Sequence, residues 1–347
     1  MQEDNPLIQI KKIRRRDNIK RAILKVILFI LIFSLGFSCG LWYSNDFSIQ
    51  DTIKFIAEGE NNKAELKIKA DSKNEAVESE NEKLLLLKDE FVKYVKDRYP
   101  SVDLSFSIKN LRTGAKLTYN NKKMNSASVI KLFIMETVFD EIKNGDYELT
   151  EEKEKELELM ITESKNTSAN LFIDDFGGVD TTRKVTEENI INKNIKNRGY
   201  KYTEINRKMH DTTPPEGPSG YQNYTSCEDV LAIIEGIYSK KRFDEPYNTF
   251  ALNLLKNQTR RGKIPAKISE KYPDITVANK TGELSQVEND VALILCDDFD
   301  ISFIIFIDNI PLKENGATDY DLKNKVQVTI SELGLKLVEF YKENKFW

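Results

Sequence analysis

Three short strings, in a fixed order, constrain this chain more than any other feature. They are Ser128-Val129-Ile130-Lys131, Ser164-Lys165-Asn166 and Lys280-Thr281-Gly282. Any one alone is weak, since Ser-x-x-Lys arises by chance about twice in a Lys-rich chain of this length. A fold that uses all three has to gather them around one point. Ser128 and Lys131 stand three apart at the start of a predicted helix, so both side chains project from one face. A serine hydroxyl is a poor nucleophile until a neighbour takes its proton. Lys131 can do this only when neutral, which needs desolvation or nearby cations, and Lys280 is such a cation. The helix start at Ser128 also offers a backbone N–H to an oxyanion. Taken without the other two strings, the pair reads as a capping serine and a solvated lysine.

The ordered trio resembles the signature of serine β-lactamases and penicillin-binding proteins. Met160 to Gly178 resembles that family's helix–turn–helix carrying Ser-Asp-Asn. Val277 to Gly282 resembles the catalytic edge strand, and Asn289-Asp290-Val291-Ala292 the start of its neighbour. The resemblance runs from about Lys88 to Phe340 and is to the class A β-lactamase-related serine hydrolases. It implies that Ser128 is the nucleophile, Lys131 the base, and Ser164 the relay that carries the proton toward the leaving group. It implies that Asn166 bonds the acyl-side amide of the substrate and that Lys280 and Thr281 bind the substrate carboxylate. Gly282 would let the substrate backbone approach the strand, and the N–H of Glu283 would be the second oxyanion donor. No metal or other cofactor is implied.

Several positions depart from the pattern. Lys165 stands where class A has a structural aspartate. Glu283 places an acid beside an anionic substrate. The class A glutamate that activates the deacylating water follows an Arg-x pair; aligning on Arg207 puts Met209 at that position, and Met cannot act as a base. Glu204, Asp211 and Glu216 are the candidate substitutes. Ser128 and Ser164 are 36 residues apart, shorter than usual for class A, which predicts a more open cleft. The arginine that helps hold the antibiotic carboxylate is missing near Asn289, leaving Arg260, Arg261 or Lys263 to compensate.

Upstream, Val26 to Tyr43 is an uncharged, mostly apolar run of 18 residues, near the length that spans a bilayer. The first 25 residues carry eight basic and three acidic side chains, a net +5, so the rest of the chain carries −9 of the total −4. A basic flank before an apolar span stays in the cytoplasm. The basic patch therefore belongs to membrane topology, and nucleic acid is not an expected partner. A retained signal anchor is expected, with a cleaved signal peptide or a lipoprotein at Cys39 as alternatives. Three cysteines, Cys39, Cys227 and Cys296, do not make a disulfide framework. The sole histidine, His210, excludes any triad that needs two.

The expected organisation is a cytoplasmic tail over residues 1–21, a transmembrane anchor over 22–43, a polar stalk over 44–80 and a hydrolase domain over 81–347. In that domain a helix with a stripe of Leu84, Leu85, Leu87, Phe91 and Tyr94 precedes strands at 103–109 and 116–119. Helices dominate from Ala127 to about Lys256. Strands return at 275–280, 291–296 and 301–307, and an amphipathic helix from Asp319 to Tyr341 closes the chain. The fold class is therefore α/β (α+β), β-lactamase/transpeptidase-like. An antiparallel sheet of about five strands is built from both chain ends, terminal helices cover it, and an all-α lobe is inserted. The function expected is a membrane-anchored extracellular acyl-serine hydrolase acting on a β-lactam, with slow deacylation. A D-Ala-D-Ala-type peptidase or penicillin-binding protein, or a poorly catalytic sensor of β-lactams or muropeptides, is the alternative.

Overall fold

The computed structural model describes residues 74–180, 184–210 and 221–346. The expected tail, the anchor, most of the stalk, Asp211 and Glu216 lie outside them. Among the described residues no helix is long and apolar enough to cross a membrane.

Strands β1 (Asp103–Asn110), β2 (Lys116–Tyr119), β5 (Thr276–Leu284), β6 (Val287–Leu295) and β7 (Asp300–Asp308) form one antiparallel sheet in the order β2-β1-β7-β6-β5. The short β3 (Met124–Asn125) and β4 (Tyr224–Thr225) pair separately. β6 and β7 are buried almost throughout, as central strands packed on both faces are. Alternation divides their side chains. Phe303, Ile305 and Ile307 face helices α1 (74–96) and α9 (Tyr320–Asn344), while Ile304 and Phe306 face the helical lobe.

The helical lobe contains α2 (Lys131–Asn144), α3 (Glu151–Thr162), α4 (Asn166–Asp175), α5 (Ile190–Asn197), α6 (Cys227–Tyr238) and α7 (Tyr247–Lys256). A further helix, α8 (Ile264–Lys271), lies under α9 beside β5. Every residue of α2 from Lys131 to Phe139 is buried, so the helix after Ser128 runs through the middle of the protein rather than over its surface. A helix apolar on nearly all sides, as Leu132-Phe133-Ile134-Met135 dictates here, has to be an interior one.

Two sequence expectations are corrected at α1. The buried positions are Leu84, Leu87, Phe91 and Val95, whereas Leu85 is half exposed and Leu86 more so. Four consecutive leucines hide the phase of the helix, and only the later spacing fixes it. The helix also begins before residue 81. Glu80, read as the end of the stalk, is fully buried. Its Oε1 accepts from Asn110 Nδ2 at 2.9 Å and from Tyr341 Oη at 2.9 Å, and its Oε2 accepts from Thr113 Oγ1 at 2.7 Å. One carboxylate thus ties both terminal helices to the β1–β2 turn. Glu80→Ala leaves those donors without an acceptor, and each buried unsatisfied group costs about 1–3 kcal/mol. A fall in Tm of roughly 2–4 °C per kcal/mol is expected in thermal denaturation; an unchanged Tm would show that the boundary at residue 81 is adequate.

Candidate active site

Ser128, the expected nucleophile, sits on a strained turn. Ser128 lies in a 3-10 turn, Ala127–Ile130, that runs straight into α2. Ala127 has φ +46°, a left-handed conformation that costs a residue with a Cβ. The turn is clamped from two sides. Asn289 of β6 donates through Nδ2 to the carbonyls of Asn125 (2.8 Å) and Ser126 (3.3 Å). From β5, a Cβ on Gly282 would lie 2.8 Å from the Ser126 carbonyl oxygen and 3.1 Å from Val129 Cγ2. Gly282 therefore lets the strand meet the nucleophile turn. This packing is a reason for the glycine that stands beside the expected one, approach of the substrate backbone.

Lys131, in the first turn of α2, is fully buried and meets residues of the first two strings. Its Nζ lies within hydrogen-bond reach of Ser128 Oγ (3.0 Å), the Ser164 carbonyl (2.6 Å), Ser164 Oγ (3.3 Å) and Asn166 Oδ1 (2.7 Å), more oxygens than the amine has hydrogens. Ser164 adopts φ +62° in the turn between α3 and α4. Its Oγ also accepts from Lys280 Nζ at 2.8 Å. Two buried lysines thus meet on one hydroxyl, and neither has an ion pair to a described carboxylate within 4 Å. Burial, then the charges of Lys280 and Arg260, hold the Lys131 amine well below the usual lysine range. Burial and then Arg260 push Lys280 down to about 7, with Glu283 opposing.

Lys280, Thr281 and Gly282 sit mid-strand in β5, at the edge of the sheet, paired with Val291, Asp290 and Asn289. The strand runs on to Leu284, beyond the expected end at Lys280, because the close contact at Gly282 calls for a glycine inside it. Burial pushes the carboxyl of Asp290, beneath the strand, up to about 6. It accepts from Asn279 Nδ2 (3.1 Å) and from the Ile264 N–H (3.0 Å).

The remaining expectations divide. Lys165 points away from the centre and pairs with Glu156, so the turn has no aspartate at its middle position. It is held instead by the segment after α7: Gln258 Nε2 donates to the Ile161 carbonyl (2.6 Å) and Thr259 N to the Thr162 carbonyl (2.9 Å). Asn166 Nδ2 donates to the His210 carbonyl, so its amide is engaged before any substrate arrives. Met209 is buried, its N–H donating to Asn170 Oδ1 (2.7 Å) and its carbonyl accepting from Asn170 Nδ2 (3.0 Å). The loop is thereby anchored with no titratable side chain at that position. Glu204 is spent on Lys123 and Asn206. Arg261 donates to the Val277 carbonyl (3.1 Å), which leaves Arg260 as the exposed cation beside the lysines. Asn170 and Gln258 carried no sequence signal, since an isolated amide in a helical stretch reads as surface. Cavities of about 700 and 530 Å³ lie on the helical lobe, lined in part by Arg242 and Tyr247 and by Glu204 and Tyr221, away from Ser128.

A sequence profile described as the Beta-lactamase enzyme family matches residues 87–156 and 154–341. The chain belongs to this family. The β-lactamase from Sphaerobacter thermophilus is 19% identical and superposes with a TM-score of 0.59 over 72% of this chain and 97% of its own. The chromosome-encoded β-lactamase of Vibrio parahaemolyticus is 14% identical, with a TM-score of 0.59 over 74% and 99%. A β-lactamase from Chitinophaga pinensis is 16% identical, with a TM-score of 0.58 over 73% and 99%. No curated protein sequence matches the chain. These solved structures share the β-lactamase fold; at such identities the likeness stops at the fold.

Proposed function

We propose that this β-lactamase-family chain is an acyl-serine hydrolase that attacks a β-lactam amide through Ser128 and releases the acyl group slowly. The observation that carries the reading is the buried Lys131 amine, bonded to Ser128 Oγ with no carboxylate of the described residues at ion-pair distance. A neutral Lys131 takes the Ser128 proton as Oγ bonds to the amide carbon. The carbonyl oxygen becomes an oxyanion facing the Ser128 and Glu283 N–H groups. The carbon–nitrogen bond then breaks, and the proton passes from Lys131 through Ser164 to the leaving nitrogen. Lys280 stabilises negative charge on that side, and Thr281 offers its hydroxyl to the substrate.

Among the described residues deacylation has no equivalent base at the loop position; Asp211 and Glu216, the other candidates, lie outside them. With Met209 at the loop position, no carboxylate stands there to activate water, and loss of one general base costs about 10²–10⁴-fold. This feature also favours the second reading, a D-Ala-D-Ala-type peptidase or penicillin-binding protein, because acylation without efficient β-lactam turnover is what such a protein shows. A chromogenic cephalosporin in stopped flow should give a burst equal to the enzyme concentration and then a slow steady state. Met209→Glu should raise the steady state. Fast steady-state hydrolysis by the unmodified protein would contradict the slow-release account.

The basic flank and the uncharged span Val26–Tyr43 support a chain held in the cell membrane with its catalytic domain outside. Protease added to intact cells should then remove the domain, and full protection of it would reject this topology.

A further inference from the structure

Five side chains of alternating charge run from α9 to the cleft. Lys323 Nζ lies 3.0 Å from Glu288 Oε1, and Lys263 Nζ lies 2.6 Å from Glu288 Oε2. Lys263 Nζ is also 3.1 Å from Glu283 Oε1, and Arg260 Nη1 is 2.9 Å from Glu283 Oε2. Glu288 and Lys263 are sealed inside, whereas the Arg260 side chain is 51% exposed at the outer end. Lys263 donates as well to the carbonyls of Asn289 (2.9 Å) and Gly282 (3.4 Å), which fixes it under the strand.

Arg260 joins the two walls of the active site. Its Nε donates to the carbonyl of Glu163, the residue before Ser164, at 3.3 Å. Its Nη1 sits on Glu283, the residue after Gly282. An arginine in that place is suited to receive a substrate carboxylate, because a guanidinium presents a fork of donors to two oxygens. One arm of that fork is already taken by a carboxylate of the protein itself.

We propose that Glu283 is a specificity residue. Its carboxylate holds Arg260 in an ion pair that an incoming carboxylate has to break, so the cleft favours acyl donors whose carboxyl group beside the scissile amide is absent, esterified or amidated. This rests on the acyl-serine hydrolase reading and concerns only what the acyl donor carries. Glu283 is tethered to a paired strand, so it competes for Arg260 at a high effective concentration. Glu288 remains beside Lys263 when Glu283 is neutralised, so the buried cation keeps a partner in the variant.

The test is the acylation rate constant of Ser128 for benzylpenicillin and for its methyl ester, and the acid-to-ester ratio of the two. Glu283→Gln is expected to raise that ratio about five- to tenfold, the scale of one partly exposed ion pair. Arg260→Gln is expected to lower it, and adding Glu283→Gln to Arg260→Gln should then have little further effect. An unchanged ratio in Glu283→Gln overturns the proposal. So does a ratio that falls as far as in Arg260→Gln, since Glu283 would then only aim the arginine. If Glu283→Gln does not fold, a ratio unaltered by the surface variant Arg260→Gln is sufficient to reject it. Failure of both compounds to acylate the unmodified protein would instead reject the hydrolase reading itself.

Discussion

A lysine amine with no ion-paired carboxylate among the described residues, buried against a serine hydroxyl, is the interaction on which the rest of this site depends. A charged ammonium taken out of water is costly unless a carboxylate or several acceptors compensate it. Lys131 has only neutral acceptors, the oxygens of Ser128, Ser164 and Asn166, and a second lysine close by. The arrangement is tolerable if Lys131 is neutral, and a neutral amine is what a serine nucleophile requires. Burial of α2, the strained turn at Ala127 and the clamp by Gly282 and Asn289 all serve to keep that amine dry and in reach.

Charge on the other wall is arranged in the opposite way. There Lys263, Glu288, Lys323, Glu283 and Arg260 alternate in sign, so each buried ion has an opposite neighbour. The contrast gives β5 two electrical characters within four residues. Lys280 has no ion pair to a described carboxylate, whereas Glu283 lies within a compensated chain between Lys263 and Arg260. The first makes a poised base and an anion-stabilising cation possible; the second decides which anions are welcome.

Much of this was legible in the sequence, because the three strings are local and their chemistry is particular to their residue types. The antiparallel sheet built from both chain ends followed from strand alternation in 103–109 and 301–307 and from the helical stretch between them. Other features have no local signature. Ala127 reads as an ordinary residue, yet it carries the strain of the nucleophile turn. Glu80 reads as one more acid in a polar stretch, because burial by Tyr341, 261 residues away, is invisible to a linear window. Lys263 reads as a candidate for the substrate carboxylate, yet it is sealed between Glu283 and Glu288, which no linear window shows, and β5 was cut short because the contact that explains Gly282 comes from residues 126–129. Met209, by contrast, was visible as a departure from the family pattern, and its engagement by Asn170 accounts for how the loop keeps its place without the glutamate.

The account is tested most directly by the pH dependence of Ser128 acylation, followed by intact mass after brief exposure to a penicillin and by mapping of the adduct. The rate should rise from acid pH as Lys131 loses its proton, since the base form is present only above its depressed value. It should fall again above about 7 as Lys280 loses its charge, and Lys280→Arg, whose guanidinium stays protonated, should move that alkaline limb upward. An adduct on a residue other than Ser128, or a rate that climbs only in the ordinary lysine range near pH 10.4, would contradict the neutral-lysine mechanism.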